Sequence, residues 1–156
     1  MLNNLLTYFT SENIYLIANW GVIPFWLLLI FAPNHGLTNF FVQSIVAPAL
    51  LATGYAYLSY NLFLEKNIFD GFELYKGLDG LYSVFANENL LLIFWLHFLA
   101  ISLFAGAWIV RDARKYLIPR ILTIISIILT YFTGPIGLFI YWFIRIFFAK
   151  KISFND

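Results

Sequence analysis

One histidine stands inside a long apolar run. The stretch Trp95 to Arg114 reads WLHFLAISLFAGAWIVRDAR, with His97 in its interior and a charged cluster, Arg111, Asp112, Arg114 and Lys115, at its exit. An ionisable side chain within a lipid-embedded helix is costly and by default marks a functional site. Imidazole titrates near neutral pH, so His97 could pass a proton as general acid or base. The plainer reading is packing, with the ring bonded to a tyrosine hydroxyl or a freed carbonyl.

The composition requires lipid around that run. Of 156 residues, 62% are hydrophobic and 11% charged, far below the roughly one-quarter charged residues of soluble chains. Several runs reach about 18 mainly apolar residues, the length of a membrane helix. They are continuous rather than alternating, which argues against a β-barrel. The expected fold is an all-α integral membrane protein, a single transmembrane domain over 1–156. There is no cysteine, so disulfides and thiolate chemistry are excluded. A net charge of +1 without a basic patch gives no nucleic-acid partner. The start lacks a basic region and a cleavage site, so no signal peptide is expected and a bacterial inner membrane fits best.

Four spans are predicted. The first runs from about Ile14 to Phe31, with Thr10, Ser11 and Asn13 as N-cap candidates, a bend at Pro24, and a stop at Ala32–Gly36. The second runs from about Thr38 to Leu64 with a bend at Pro48. In it, Ala52/Ala56 and Ala49/Thr53 have the spacing of close-packed helices. Residues 65–88 form a polar interfacial loop, with a short amphipathic helix expected near Asp79 to Phe85. The third span is Glu88 to about Val110, with Ser102 and Gly106 as another small pair. The fourth runs from Arg120 to about Phe148 and is broken at Thr133–Gly137. Each half is too short to span, so the spacing predicts one kinked or partly unwound helix in a four-helix transmembrane bundle, not a hairpin. Four spans put both termini on one side. Thr123, Ser126, Thr130 and Thr133 share a face, where hydroxyls bonding their own helix is the usual meaning. The basic corner Arg111–Arg120 points to the cytoplasm, but Arg145, Lys150 and Lys151 then fall outside.

Depth selects which residues can meet. His97 lies roughly 13 Å along the helix from Glu88, whereas His35 sits at the opposite surface, so the two cannot share a metal or a haem. No metal site and no cofactor is expected. At the depth of His97 the four-span arrangement places Asn19 and Trp20, then Thr53, Tyr55 and Tyr57, then the Gly134–Gly137 break and Tyr141. Irregular backbone at that depth belongs beside protein or a cavity. Asp112 is expected to pair with a neighbouring arginine of the corner.

These residues carry a resemblance. Asn19-Trp20 with Pro24-Phe25-Trp26 and Pro33, Pro48 with Tyr55–Tyr60, Trp95-Leu96-His97, Leu103-Phe104 with Trp108-Ile109 and Asp112, and Gly134-Pro135-Ile136-Gly137 with Tyr141 follow one another in a familiar order. Together they resemble the plant thylakoid membrane protein family required for neoxanthin synthesis, whose loss causes abscisic acid deficiency, and its bacterial homologues. The similarity covers nearly the whole chain, and the order and spacing are more specific than any one piece. The chain departs from the pattern at Ser102 and Ala107, where the family usually has an aspartate and an arginine. If that pair carries the plant chemistry, this chain does not perform the same reaction; if it only tied helices together, its joint loss is tolerable.

The resemblance implies a membrane protein that modifies a carotenoid, by isomerisation or by a neoxanthin-synthase-like rearrangement. In that reading His97 is the acid/base, and Asn19, Tyr57 and Tyr141 orient it or the substrate. Trp20, Pro24, Tyr55, Trp95, Ser102, Gly134 and Gly137 would line the cleft. The partner is a carotenoid or another long apolar lipid, and a homo-oligomer is compatible with the sequence. Two alternatives stand beside it: a non-catalytic carotenoid- or lipid-binding protein or pigment-enzyme assembly partner, and cleavage to an apocarotenoid such as retinal.

Overall fold

The computed structural model describes residues 10–44, 46–65, 72 and 75–150. The described residues form helices and no strands. In chain order they are α1 (Ser11–Phe31), a π-helical turn (Thr38–Val42), α2 (Val46–Glu65), α3 (Leu78–Phe85), α4 (Glu88–Lys115), α5 (Arg120–Thr133) and α6 (Pro135–Ala149). Three stretches are long and apolar enough to cross a membrane: Ser11–Phe31, Thr38–Leu62 and Glu88–Lys115. In the polar segment 65–88, residues 66–71, 73 and 74 lie outside the described ones.

Local chemistry explains the ends. Thr10 caps α1 by accepting from the amide of Asn13 at 3.3 Å, and Asn87 caps α4 through Leu90 at 3.2 Å. The turn after α1 is closed by the hydroxyl of Thr38, which donates to the carbonyl of Ala32 at 2.6 Å. The chain breaks at Gln43 and Ser44, ahead of Pro48, which falls in the first turn of α2. The expected bend at Pro48 is therefore a helix start, where a missing amide costs nothing.

Direction follows from a few contacts. Ser11 meets Asn89 at 2.8 Å where α1 and α4 both begin, and Arg114 bonds Asn34 where both end, so α1 and α4 are parallel. A Cβ on Gly106 would lie 2.7 Å from Trp26, so the small residue admits the indole between the two helices. Helix α2 runs the other way, with Gly54 against Leu96. The pairs Ala52/Ala56 and Ala49/Thr53 do not form that contact, because Ala52, Thr53 and Ala56 are exposed.

The predicted fourth span is two helices folded back on each other. A Cβ on Gly137 would sit 2.6 Å from the carbonyl carbon of Leu129 and collide with the backbone nitrogen of Thr130. In a kinked helix, residues seven apart are roughly 10 Å apart along the axis. The reversal is made at Gly134, whose φ of 60° and ψ of −89° suit glycine. Its tip rests on α4, since a Cβ there would lie 3.1 Å from Phe98 and 3.4 Å from the Ser102 hydroxyl. From that mid-length level α6 returns beside α4 to Asp112 and Tyr116. At 14 and 15 residues neither arm reaches across a hydrocarbon core of ~30 Å. The architecture is three membrane-length helices plus a half-depth helical hairpin, so α1 begins at one end of the molecule and α6 finishes at the other.

This correction sorts the charges. Arg111, Arg114, Lys115, Arg120, Arg145 and Lys150 lie at one end with Asp112, and Glu12, Asp79 and Glu88 at the other with Lys76, so among the described residues the first end is predominantly basic and the second predominantly acidic. The hydroxyls of Thr123, Ser126, Thr130 and Thr133 each donate to a carbonyl four residues earlier in or just before α5, which satisfies them without a partner helix.

Candidate functional site

An ion pair joins the hairpin to α4, its arginine buried and its carboxylate 11% exposed. Trp108, Asp112 and Tyr116 are spaced four apart on α4, and Tyr141 and Arg145 four apart on α6, so each set shares a helix face. The faces meet. One carboxylate oxygen of Asp112, Oδ2, accepts from the Tyr141 hydroxyl at 2.7 Å and from Arg145 Nε at 2.7 Å. Arg145 Nη2 donates to the Tyr116 hydroxyl at 3.2 Å, and its guanidinium carbon stands 4.7 Å over the Tyr116 ring. Trp108 packs edge-on to Tyr141 at 5.5 Å. Arg145 is 1% exposed and Tyr141 0%. Two charges removed from water are tolerable here because each is bonded further.

The expected partnership of Asp112 with the corner arginines is thus corrected. Arg114 bonds Asn34 and Gln43, and Arg120 bonds the carbonyls of Ile30 and Phe31 at 3.1 and 3.0 Å. The partner of Asp112 is Arg145, which only the reversal at Gly134 brings back. Tyr141 follows it. His97 and Asp112 are fifteen residues apart on α4, roughly 22 Å, so Tyr141 does not join His97.

His97 lies on the exposed face of α4, its ring centroid 6.3 Å from that of Tyr55, which is also exposed. The ring is not enclosed, as a deep pocket would require. Trp20 is 67% exposed, Pro24 is exposed and Asn19 half-buried on α1. Ser102 instead meets Gly134 at the hairpin tip, and Gly137 lies against the Leu129–Thr130 backbone, where its small size permits close approach.

Two adjoining hollows open at the acidic end. A groove of about 460 Å³ runs between α1 and α4, lined by Tyr15, Leu91, Leu92 and Trp95, with Glu12 and Glu88 at its edge. Trp95 stacks on Phe98 at 5.4 Å and tilts towards Tyr15 at 6.5 Å. A second cleft of about 480 Å³ shares Ser11, Glu12 and Glu88 and adds Tyr57, Asn61 and Asn89. An apolar trough therefore continues into a polar mouth. Trp95 and Tyr57 were visible in the sequence as site candidates. Glu12, Glu88 and Asn61 were not, because nothing local says that α1, α2 and α4 converge there.

A family model described as ABA DEFICIENT 4-like matches residues 13–141, most of the chain. The chain belongs to that family. Among curated proteins it is similar to "Protein ABA DEFICIENT 4, chloroplastic" of Arabidopsis thaliana, with 27% identity over 108 residues. That alignment covers 67% of this chain, which spans about half (49%) of the relative's length. No solved structure matches. The ABA DEFICIENT 4-like match takes in His97, Asp112 and Tyr141 and ends four residues short of Arg145. The expected family is thus established.

Proposed function

We propose that this chain takes a carotenoid from the bilayer and rearranges it, by isomerisation or by a neoxanthin-synthase-like opening of an epoxide. The observation that carries this is membership of the ABA DEFICIENT 4-like family across residues 13–141. The groove beside Trp95 and the adjoining polar cleft at Tyr57 offer aromatic wall and polar mouth to part of a long amphiphile, on the side of α4 away from His97, which lies two residues from Trp95. The chemistry balances without an oxidant. A base removes a proton from the polyene, the epoxide C–O bond breaks, the oxygen takes up a proton, and an allene replaces a double bond.

In this reading His97 is the proton-transfer group and meets substrate from the lipid face beside Tyr55. Tyr57 and Asn19 orient the polar end. Tyr141 acts at a distance, by holding the hairpin against Asp112. The basic end faces the cytoplasm of a bacterial inner membrane, because the positively charged end is retained there. Co-expression with a carotenoid pathway, followed by chromatography of the pigments, tests it. Wild type yields a rearranged product and His97→Ala does not. Identical products from both remove His97 from the reaction.

The exposed position of His97 also favours a second reading, a non-catalytic carotenoid-binding or assembly protein. In that case pigment purifies with the protein unaltered in composition.

A further inference from the structure

At the basic end a third hollow of about 350 Å³ opens between α1, α4 and α5, opposite in position to the grooves above. Its walls are apolar, including Leu29, Ile30, Val110, Ile124 and Ile127, while Arg114 and Arg120 stand at its mouth. Thr123 and Ile127 also line it, three and seven residues beyond Arg120, so the hollow descends roughly 10 Å from the arginines along α5. The hydrogen bonds of both guanidinium groups go to uncharged oxygens. Arg114 uses the side chains of Asn34 and Gln43, and Arg120 uses the last carbonyls of α1. These bonds fix the two cations at the mouth, and among the described residues no carboxylate pairs with either. The acid described at this end, Asp112, is committed to Arg145 and Tyr141. The uncapped N-terminus of α5 adds a positive dipole end, but the C-termini of α1 and α4 meet the same hollow and offset it, so the two guanidinium groups supply the site's charge.

We propose that this hollow binds an anionic glycerophospholipid, with its phosphate against Arg114 and Arg120 and one acyl chain between α1, α4 and α5. The apolar descent selects a lipid over a free anion, which has no use for Ile124 and Ile127. The positive charge of the two guanidinium groups selects an anionic headgroup over a zwitterionic one, whose ammonium would face two arginines. The site is independent of the carotenoid reading.

The test uses the full chain purified in detergent, with thermal unfolding followed by tryptophan fluorescence. Phosphatidylglycerol is compared with phosphatidylcholine of the same chains and with inorganic phosphate. Phosphatidylglycerol stabilises the wild type and binds more tightly than phosphatidylcholine, and inorganic phosphate has little effect. The double variant Arg114→Gln/Arg120→Gln binds phosphatidylglycerol roughly thirtyfold more weakly, as expected for two surface cations. Ile124→Trp keeps both arginines, fills the hollow and loses the lipid response. Equal responses to the two lipids, unchanged selectivity in the double variant, or an equal response to inorganic phosphate each overturn the site. Should the double variant not fold, the wild-type comparison and Ile124→Trp still decide.

Discussion

Asp112 and Arg145 face each other across α4 and α6, carboxylate Oδ2 to guanidinium Nε at 2.7 Å. The contact is local in space and far apart in sequence. It exists only because the chain reverses at Gly134.

Removing one partner should therefore be costly. Arg145→Met leaves Asp112 as an uncompensated charge in an apolar surround and should lower stability by about 3–5 kcal/mol. The joint change Asp112→Leu/Arg145→Met should recover most of that loss, because an apolar pair of similar volume avoids desolvating both ions. Unfolding in detergent of the two single variants and the double variant forms the cycle that measures the coupling. Additive losses would show that the pair does not hold the hairpin.

Glycine tolerance should be uneven. Gly137→Ala places a methyl group where the Thr130 backbone already is, and neither helix can move without losing Arg145 from Asp112. Gly21 on α1 has nothing within 4 Å of an added Cβ. Gly21→Ala should be neutral or stabilising by up to about 1 kcal/mol. Melting temperatures of the two variants check this, with loss of monodisperse protein expected for Gly137→Ala alone.

The hairpin fixes sidedness. The natural chain has no cysteine, so single cysteines report accessibility cleanly. Leu117→Cys and Lys150→Cys should react with an impermeant maleimide from the same side, and Tyr82→Cys from the other. Lys150→Cys reacting together with Tyr82→Cys would restore a fourth crossing.

Pigment retention should depend on the aromatic groove. Trp95→Ala removes its largest wall, losing about 1.5–3 kcal/mol of buried apolar contact, a tenfold or greater fall in carotenoid retained on purification. Trp20→Ala, on a 67% exposed position, should change little. Absorbance of the purified protein per mole of chain reads both.

Much of the fold was legible. The cap at Thr10, the amphipathic Leu78–Phe85 helix, the long span from Glu88 and the self-bonded hydroxyls of α5 all follow from the periodicity and chemistry of neighbours. The family was legible too, from the order and spacing of tryptophans, prolines and glycines along the chain. The geometry of the site was less so. His97 stood out as a charge-capable residue in an apolar run, but its helix face depends on where α1 and α2 pack. Arg145 gave no signal, being one basic residue near the end of an apolar helix.

What the sequence determined by itself is which segments partition into lipid as helices and where each begins, since both depend on residues within one or two turns. What the tertiary structure decided is the direction taken after Gly134 and hence the partner of Asp112. A glycine–proline break is equally compatible with a kink and with a reversal. The choice rests on contacts made roughly thirty residues away, where Gly137 lets two backbones touch and a buried carboxylate requires a cation.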